Sequence, residues 1–373
     1  MKKAMGIILT GGKNSRLKEL SLERSIAAVP FGGKYRAIDF VLSNLVNSGI
    51  VNIGVLTQYN FRSLVDHLGS GKEWDLDRKN EGLFIFPPYL SEVGTGWYKG
   101  TADAMYNNLT FLQRSDEPYV VITQGHAIYN MDYAPMIDAH IDSGADITIA
   151  CHNLSGFSVA EQRMLGMVET DETGRVTDLQ EKPLNPKNNL CSMGVYVIRR
   201  QLLIELLQDC AAHGHTEFVN DVLIKNVQRM HFHAFRFDGY WRPMSSIQLF
   251  YRANMELLDP RVRAELLMGR RRIFTKVKDE TPAKYNEEAG VSNAIVADGC
   301  IIEGTVENSV LFRGVKVMKG AVIRDSIIMQ GSVVEAGVSL TNAILDKNVV
   351  ITSGKQLQGD REWPLIVGKN VTV

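Results

Sequence analysis

Beyond Val291 the chain keeps a rhythm that few folds can satisfy. Ile301, Val306, Val317, Val322, Ile327, Val333, Val338, Ile344 and Val349 recur mostly every five or six residues. Gly or Asn commonly lies between them, at Gly299, Gly304, Gly314, Gly320, Gly331, Gly337 and Asn348. A short strand turning at that period cannot bury its apolar side alone. It must stack on the next coil, so the segment predicts a left-handed parallel β-helix of hexapeptide type. The repeat is imperfect and leaves the number of coils open.

The first part of the chain has a different texture. Ile7-Ile8-Leu9, Ile53-Gly54-Val55-Leu56, Tyr119-Val120-Val121-Ile122 and Ile147-Thr148-Ile149-Ala150 are β-branched runs with few polar interruptions. Such runs suit strands buried on both faces of a parallel sheet. Between them lie helix-like segments, among them Ala37 to Ser48 and Thr101 to Arg114. The alternation predicts an α/β, Rossmann-like sheet with helices on both faces, whose ligands bind beyond the carboxyl ends of the strands. The loops after Leu9, Thr57 and Ile122 are therefore the candidate binding loops. From Ser245 to Leu258 apolar residues fall at helical spacing, closed by Pro260 and followed by a connector rich in Arg and Lys. The domains expected are 1–245 (α/β), 246–288 (helix and basic connector) and 289–373 (β-helix).

Composition excludes several classes. A chain of 373 residues exceeds what one core usually serves. With 41 basic against 42 acidic residues it has no general attraction for nucleic acid. No stretch approaches the roughly 20 apolar residues of a membrane span. Met1-Lys2-Lys3 and the apolar run after it have a faint signal-peptide look, but Gly11-Gly12-Lys13-Asn14 cuts the run short. A buried first strand is expected there instead. Cys151, Cys191, Cys210 and Cys300 lack CxxC spacing, which argues against a zinc site or a disulfide framework and fits a reducing cytoplasm.

The first loop reads Leu9-Thr10-Gly11-Gly12-Lys13-Asn14-Ser15-Arg16-Leu17. It lacks the ending of a Walker loop, and taken alone it reads equally as a phosphate cradle or a plain tight turn. Other motifs decide between them. Phe31-Gly32-Gly33-Lys34-Tyr35-Arg36-Ala37-Ile38-Asp39-Phe40, Leu42-Ser43-Asn44, Asn47-Ser48-Gly49-Ile50 and Thr57-Gln58-Tyr59 closely resemble bacterial ADP-glucose pyrophosphorylases. So do Trp97-Tyr98-Lys99-Gly100-Thr101-Ala102-Asp103-Ala104, Glu181-Lys182-Pro183 and Ser192-Met193-Gly194-Val195-Tyr196. They stand in the family's order and spacing and, with the β-helix, cover nearly the whole chain.

The family transfers AMP from ATP to glucose-1-phosphate, releasing pyrophosphate and making ADP-glucose for glycogen or starch. The resemblance implies that Gly11, Gly12 and Arg16 face the triphosphate, with Gln58 and Gly100 near the adenine. It places Tyr98, Gly166, Glu181, Lys182, Ser192 and Trp241 around glucose-1-phosphate. A lysine beside a phosphate supplies a point charge, and an aromatic ring covers a pyranose. Read alone, Glu181-Lys182 would be a solvated surface pair, and Trp97 and Trp241 would be core residues.

Three positions depart from the family's pattern. Magnesium takes hard oxygen ligands, usually carboxylates. Where active members carry Gly-Asp-His, this chain has Gly125-His126-Ala127, so His126 stands at the aspartate's place. Where they carry Trp-Arg-Asp, it has Trp241-Arg242-Pro243, and Pro243 offers no ligand. Where they carry Arg-Ala-Lys-Pro-Ala-Val, it has Arg24-Ser25-Ile26-Ala27-Ala28-Val29, with Ile26 at the lysine position. Asn14 and Glu217 are smaller changes, and Glu23 stands where many relatives carry a lysine that contacts activator. Each lost ligand or lysine costs roughly 100-fold in rate. No catalytic residue and no metal site are therefore assigned to this chain.

The resemblance is nearest to the divergent, non-catalytic regulatory subunit of some bacteria. It implies that Mg2+ belongs to an active partner and that no cofactor is retained here. It implies assembly with a catalytic ADP-glucose pyrophosphorylase subunit as a heterotetramer, or a homo-oligomer. Glucose-1-phosphate, ATP or ADP-glucose are its possible ligands. A weak adenylyltransferase acting alone is the competing reading. A β-helix acyltransferase is a third, disfavoured because such helices usually need a histidine base and all eight histidines precede Ala234. Arg270-Arg271-Arg272 is a candidate site for an anionic effector, or else a solvated connector or an interface that meets acidic residues.

Overall fold

The computed structural model describes residues 4–12, 15–89 and 96–373. The Lys13-Asn14 turn, with its substituted glycine, lies outside them. The apolar runs form one mixed sheet, in which strands β1 (Ala4–Leu9), β2 (Asn52–Leu56), β3 (Gly82–Phe86) and β4 (Tyr119–Gln124) run parallel in the order β3-β2-β1-β4. A short strand, β5 (Ala127–Tyr129), follows β4. Strands β6 (Ile147–Asn153), β7 (Gly166–Thr170), β8 (Val176–Glu181), β9 (Leu190–Arg199) and β10 (Phe232–Arg236) extend the sheet. β9 runs antiparallel to β4, so the sheet is not parallel throughout. Last comes β11 (Trp241–Pro243), which pairs with β5 away from the main sheet. Separate apolar cores pad the two faces of the sheet.

Helices follow the expected segments with instructive differences. α1 is Ala37–Asn47, opened by a capping box in which Asp39 accepts the backbone N–H of Arg36 at 2.9 Å. The helix expected from Thr101 to Arg114 is two, α2 (Thr101–Asn107) and α3 (Leu109–Gln113). Asn108 breaks it, because its amide is committed to the Tyr98 hydroxyl and the Ala104 carbonyl, both at 2.9 Å. α4 (Ile247–Glu256) has Ser246 as N-cap, its hydroxyl accepting the Leu249 N–H.

The C-terminal domain is a left-handed β-helix with three parallel sheets of five short strands each. Most coils advance by fifteen or seventeen residues, as when Ile301 pairs with Lys316 and Lys316 with Val333, and one longer step joins Ala343 to Leu365. The first paired strand is Lys284–Tyr285, so coiling starts inside the segment read as connector. Strand alternation gives one sheet two duties. Leu311, Ile328 and Leu345 point into the β-helix core. Val310, Ile327 and Ile344 point out, into a cluster with Leu17, Leu20, Ile26, Phe31 and Phe250 of the first domain. The two domains therefore share a core.

Candidate functional site

A cleft of about 690 Å3 opens beyond the carboxyl ends of β1 and β4. Eleven of the fourteen positions singled out from sequence line it: Gly11, Gly12, Arg16, Ile26, His126, Gly166, Glu181, Lys182, Ser192, Trp241 and Pro243. Thr10 turns the first loop outward by giving both its N–H and its hydroxyl to the Leu56 carbonyl, each at 2.9 Å. Among the described residues a Cβ on Gly12 would meet nothing within 4 Å, so the space on that side of the loop is open.

The opposite wall is built on β7, β8 and β9. The Gly194 N–H donates to the Ser192 hydroxyl at 3.1 Å. Lys182 holds a left-handed backbone (φ 51), and its ammonium pairs with Glu181 at 2.5 Å. A Cβ on Gly166 would sit 3.1 Å from Glu181 Oε2, so the glycine leaves that carboxylate room to face the cleft. Trp241 forms part of the floor, buried yet with its indole Nε1 lacking a hydrogen-bond partner among the described residues.

The remaining three residues stand beside the cleft rather than lining it. Gln58 is buried and its amide donates to the Tyr98 carbonyl at 3.1 Å. The Tyr98 hydroxyl donates to the Pro87 carbonyl at 3.1 Å and accepts from Asn108, so it is spoken for within the protein. Gly100 is required by packing, since a Cβ there would lie 2.4 Å from the Thr216 carbonyl oxygen. Trp97 is 59% exposed and stacks on Tyr59 at 5.3 Å, which removes the core reading for it.

The two positions without their carboxylates are neighbours in space. The β5–β11 ladder sets Pro243 opposite Ala127, and the Met244 N–H donates to the His126 carbonyl at 2.9 Å. Burial, with the Lys182 charge adding to it, pushes the His126 imidazole down to about 4, so it is neutral near pH 7. Among the described residues no three His, Cys, Asp or Glu side chains converge as metal ligands. The carboxylates lining the cleft are Glu181 and Glu217. Glu181 is paired with Lys182, and Glu217 accepts the Thr101 hydroxyl at 3.0 Å. The donor set therefore does not fit a magnesium ion, and no chemical step is derived through one.

Gln124, Thr101, Met193 and Asn220 also line the cleft and were not singled out. Gln124 was findable, as the last residue of a strand ending at the binding side. Asn220 lies in the helical turn Phe218–Ile224, and no signal marked it.

A second, smaller pocket lies where the domains meet, lined by Lys34, Arg36, Lys276, Lys278, Arg313 and Lys347. Burial, then the charges of Arg36 and Arg24, push the Lys347 ammonium down to about 7, and burial lowers Arg36 to about 10. Arg313 Nε has no hydrogen-bond partner among the described residues. In the run Arg270–Arg272, by contrast, Arg271 pairs with Asp132 at 3.1 Å, as an interface would have it.

Comparison with known proteins places both halves. Residues 5–260 match the nucleotidyl transferase family model, and residues 280–363 match the GlmU-like C-terminal hexapeptide model. The glucose-1-phosphate adenylyltransferase of Geobacillus stearothermophilus is 41% identical over 87% of this chain and 84% of its own length. The enzyme of that name from Thermotoga neapolitana is 42% identical over 87% of this chain and 77% of its own length. That of Clostridium acetobutylicum is 41% identical over 86% of this chain and 85% of its own. Among the described residues no helix is long and apolar enough to cross a membrane.

Proposed function

The chain belongs to the glucose-1-phosphate adenylyltransferase family, and from that premise we propose that it is a non-catalytic, regulatory subunit of such an enzyme. It binds glucose-1-phosphate and an adenine nucleotide in the cleft and works in the cytoplasm with a catalytic partner that makes ADP-glucose for glycogen. One observation carries the reading. Ile26, His126 and Pro243 line the same cleft as the retained binding residues, and none supplies the charge the chemistry needs. Nucleotidyl transfer depends on neutralising charge at the phosphates, usually through a divalent ion. The competing reading, a weak enzyme acting alone, would need Glu181 and Glu217 to serve instead, and both are already engaged.

Regulation is placed in the inter-domain pocket. Six lysines and arginines around one small space, with the Lys347 ammonium pushed down to about 7, suit a small anion such as a sugar bisphosphate. That site replaces Arg270–Arg272 as the candidate. Exposed Tyr285 and Val291 on the first coil leave apolar surface where a neighbouring subunit would stack.

The test is adenylyltransferase activity with glucose-1-phosphate, ATP and magnesium, for this chain alone, mixed with a catalytic relative, and as the triple variant Ile26→Lys, His126→Asp, Pro243→Asp. The chain alone should be silent, the mixture should show an altered rate or saturation curve, and the triple variant should gain activity by about 100-fold or more. Turnover by the unaltered chain at ordinary enzyme rates would sink the proposal.

A further inference from the structure

The wall of the cleft that carries Arg16 and Ile26 rests on the other domain. Its residues Ser15–Ser21 and Ile26–Ala28 form short 3-10 turns, and Leu17, Leu20 and Ile26 pack against Val310, Ile327 and Ile344 of the β-helix. Close by, the Arg24 guanidinium makes a bidentate pair with Asp346, Nη1 to Oδ1 and Nη2 to Oδ2, both at 2.9 Å. The side chains are 5% and 0% exposed. The Lys347 N–H also donates to Asp346 Oδ1 at 2.7 Å, so the carboxylate is held from its own domain.

The same segment is fastened on its other side. The Ser25 N–H donates to the Asn60 carbonyl at 3.2 Å, and the Asn60 amide donates to the carbonyls of Ser21 and Leu22. Asn60 lies two residues after Gln58, whose amide donates to the Tyr98 carbonyl. Hydrogen bonds and two short stretches of backbone, Arg24–Ser25 and Gln58–Asn60, therefore link a β-helix carboxylate to residues beside the nucleotide end of the cleft. The sugar side differs: Gly166, Glu181 and Ser192 sit on β7, β8 and β9, strands that among the described residues pair within the main sheet.

A buried ion pair contributes little net stability, because desolvation offsets the attraction. Its planar, two-bond geometry does restrict where the segment can sit. We propose that Arg24 and Asp346 are a positioning pair through which the β-helix sets the nucleotide wall of the cleft. Nucleotide affinity then depends on a carboxylate that never touches the ligand, while sugar-phosphate affinity does not. The inference rests on the reading that the cleft takes both ligands.

Titration calorimetry of the full chain with ATP and, separately, with glucose-1-phosphate tests it, using the unaltered protein, Asp346→Asn and Arg24→Lys, each checked by circular dichroism. Arg24→Lys keeps the charge and removes only the bidentate geometry, so it decides the matter if Asp346→Asn does not fold. ATP affinity should fall about tenfold or more in each folded variant, with glucose-1-phosphate affinity within about twofold. Equal loss of both ligands would mean a merely structural pair and overturn the proposal, as would unchanged ATP binding. No ATP binding by the unaltered chain would instead overturn the nucleotide reading itself, and this inference with it.

Discussion

His126 and Lys347 are both basic groups whose protonation burial disfavours, with different consequences. His126 is neutral because it is buried, with the Lys182 charge adding to the effect. Lys347 is depressed by burial among other cations, a condition that an arriving anion would reverse. The sign follows from linkage. A lysine lowered from 10.5 to about 7 penalises the folded state below about pH 7, and the penalty is relieved as pH rises from there toward 10.5. An anion in the pocket restores the higher value, so binding takes up a proton. Sugar-bisphosphate affinity should therefore weaken above about pH 7, by up to about tenfold per pH unit, and Lys347→Met should abolish that slope. Calorimetry in two buffers of different ionisation enthalpy measures the proton directly, and zero uptake near pH 7.5 would refute the assignment.

At the scale of the element, the β-helix corners separate two reasons for glycine. Gly314 needs its positive φ (68) but has open space around a Cβ. Gly304 has no such φ, yet a Cβ there would lie 2.4 Å from the Ala321 carbonyl oxygen of the next coil. Gly314→Ala should cost about 1 kcal/mol of strain. Gly304→Ala should cost about 2–3 kcal/mol, because stacked backbones must part. Denaturant unfolding of the two variants ranks them, and the reverse order would mean that the coils yield more easily than their hydrogen bonds suggest. The sequence marked both glycines as turn residues without distinguishing them. A periodic pattern reports where the chain turns, not what stands one coil away. The split of the 101–114 helix at Asn108 was hidden for the same reason, since its amide answers to the distant Tyr98 hydroxyl.

For the whole molecule, the shared cluster of Ile327, Val310 and Ile344 with Leu17, Phe31 and Phe250 makes the domains one cooperative unit. Ile327→Ala should cost about 2–5 kcal/mol and lower a single calorimetric transition. Two resolved transitions, with only one of them moved, would show that the domains unfold separately. Sequence alone determined the α/β sheet, the β-helix and the family, because local periodicity and contiguous motifs are written in neighbouring residues. It also named Ile26, His126 and Pro243 as three departures from the family's pattern. Only the tertiary structure decided that these three share a cleft, that Tyr98 bonds inward, and that the basic pocket forms from Lys34, Lys278 and Lys347. It alone joined Arg24 to Asp346, 322 residues apart. Charge and hydrogen-bond complementarity act through space, and nothing in a linear pattern fixes which distant groups the packed core will bring together.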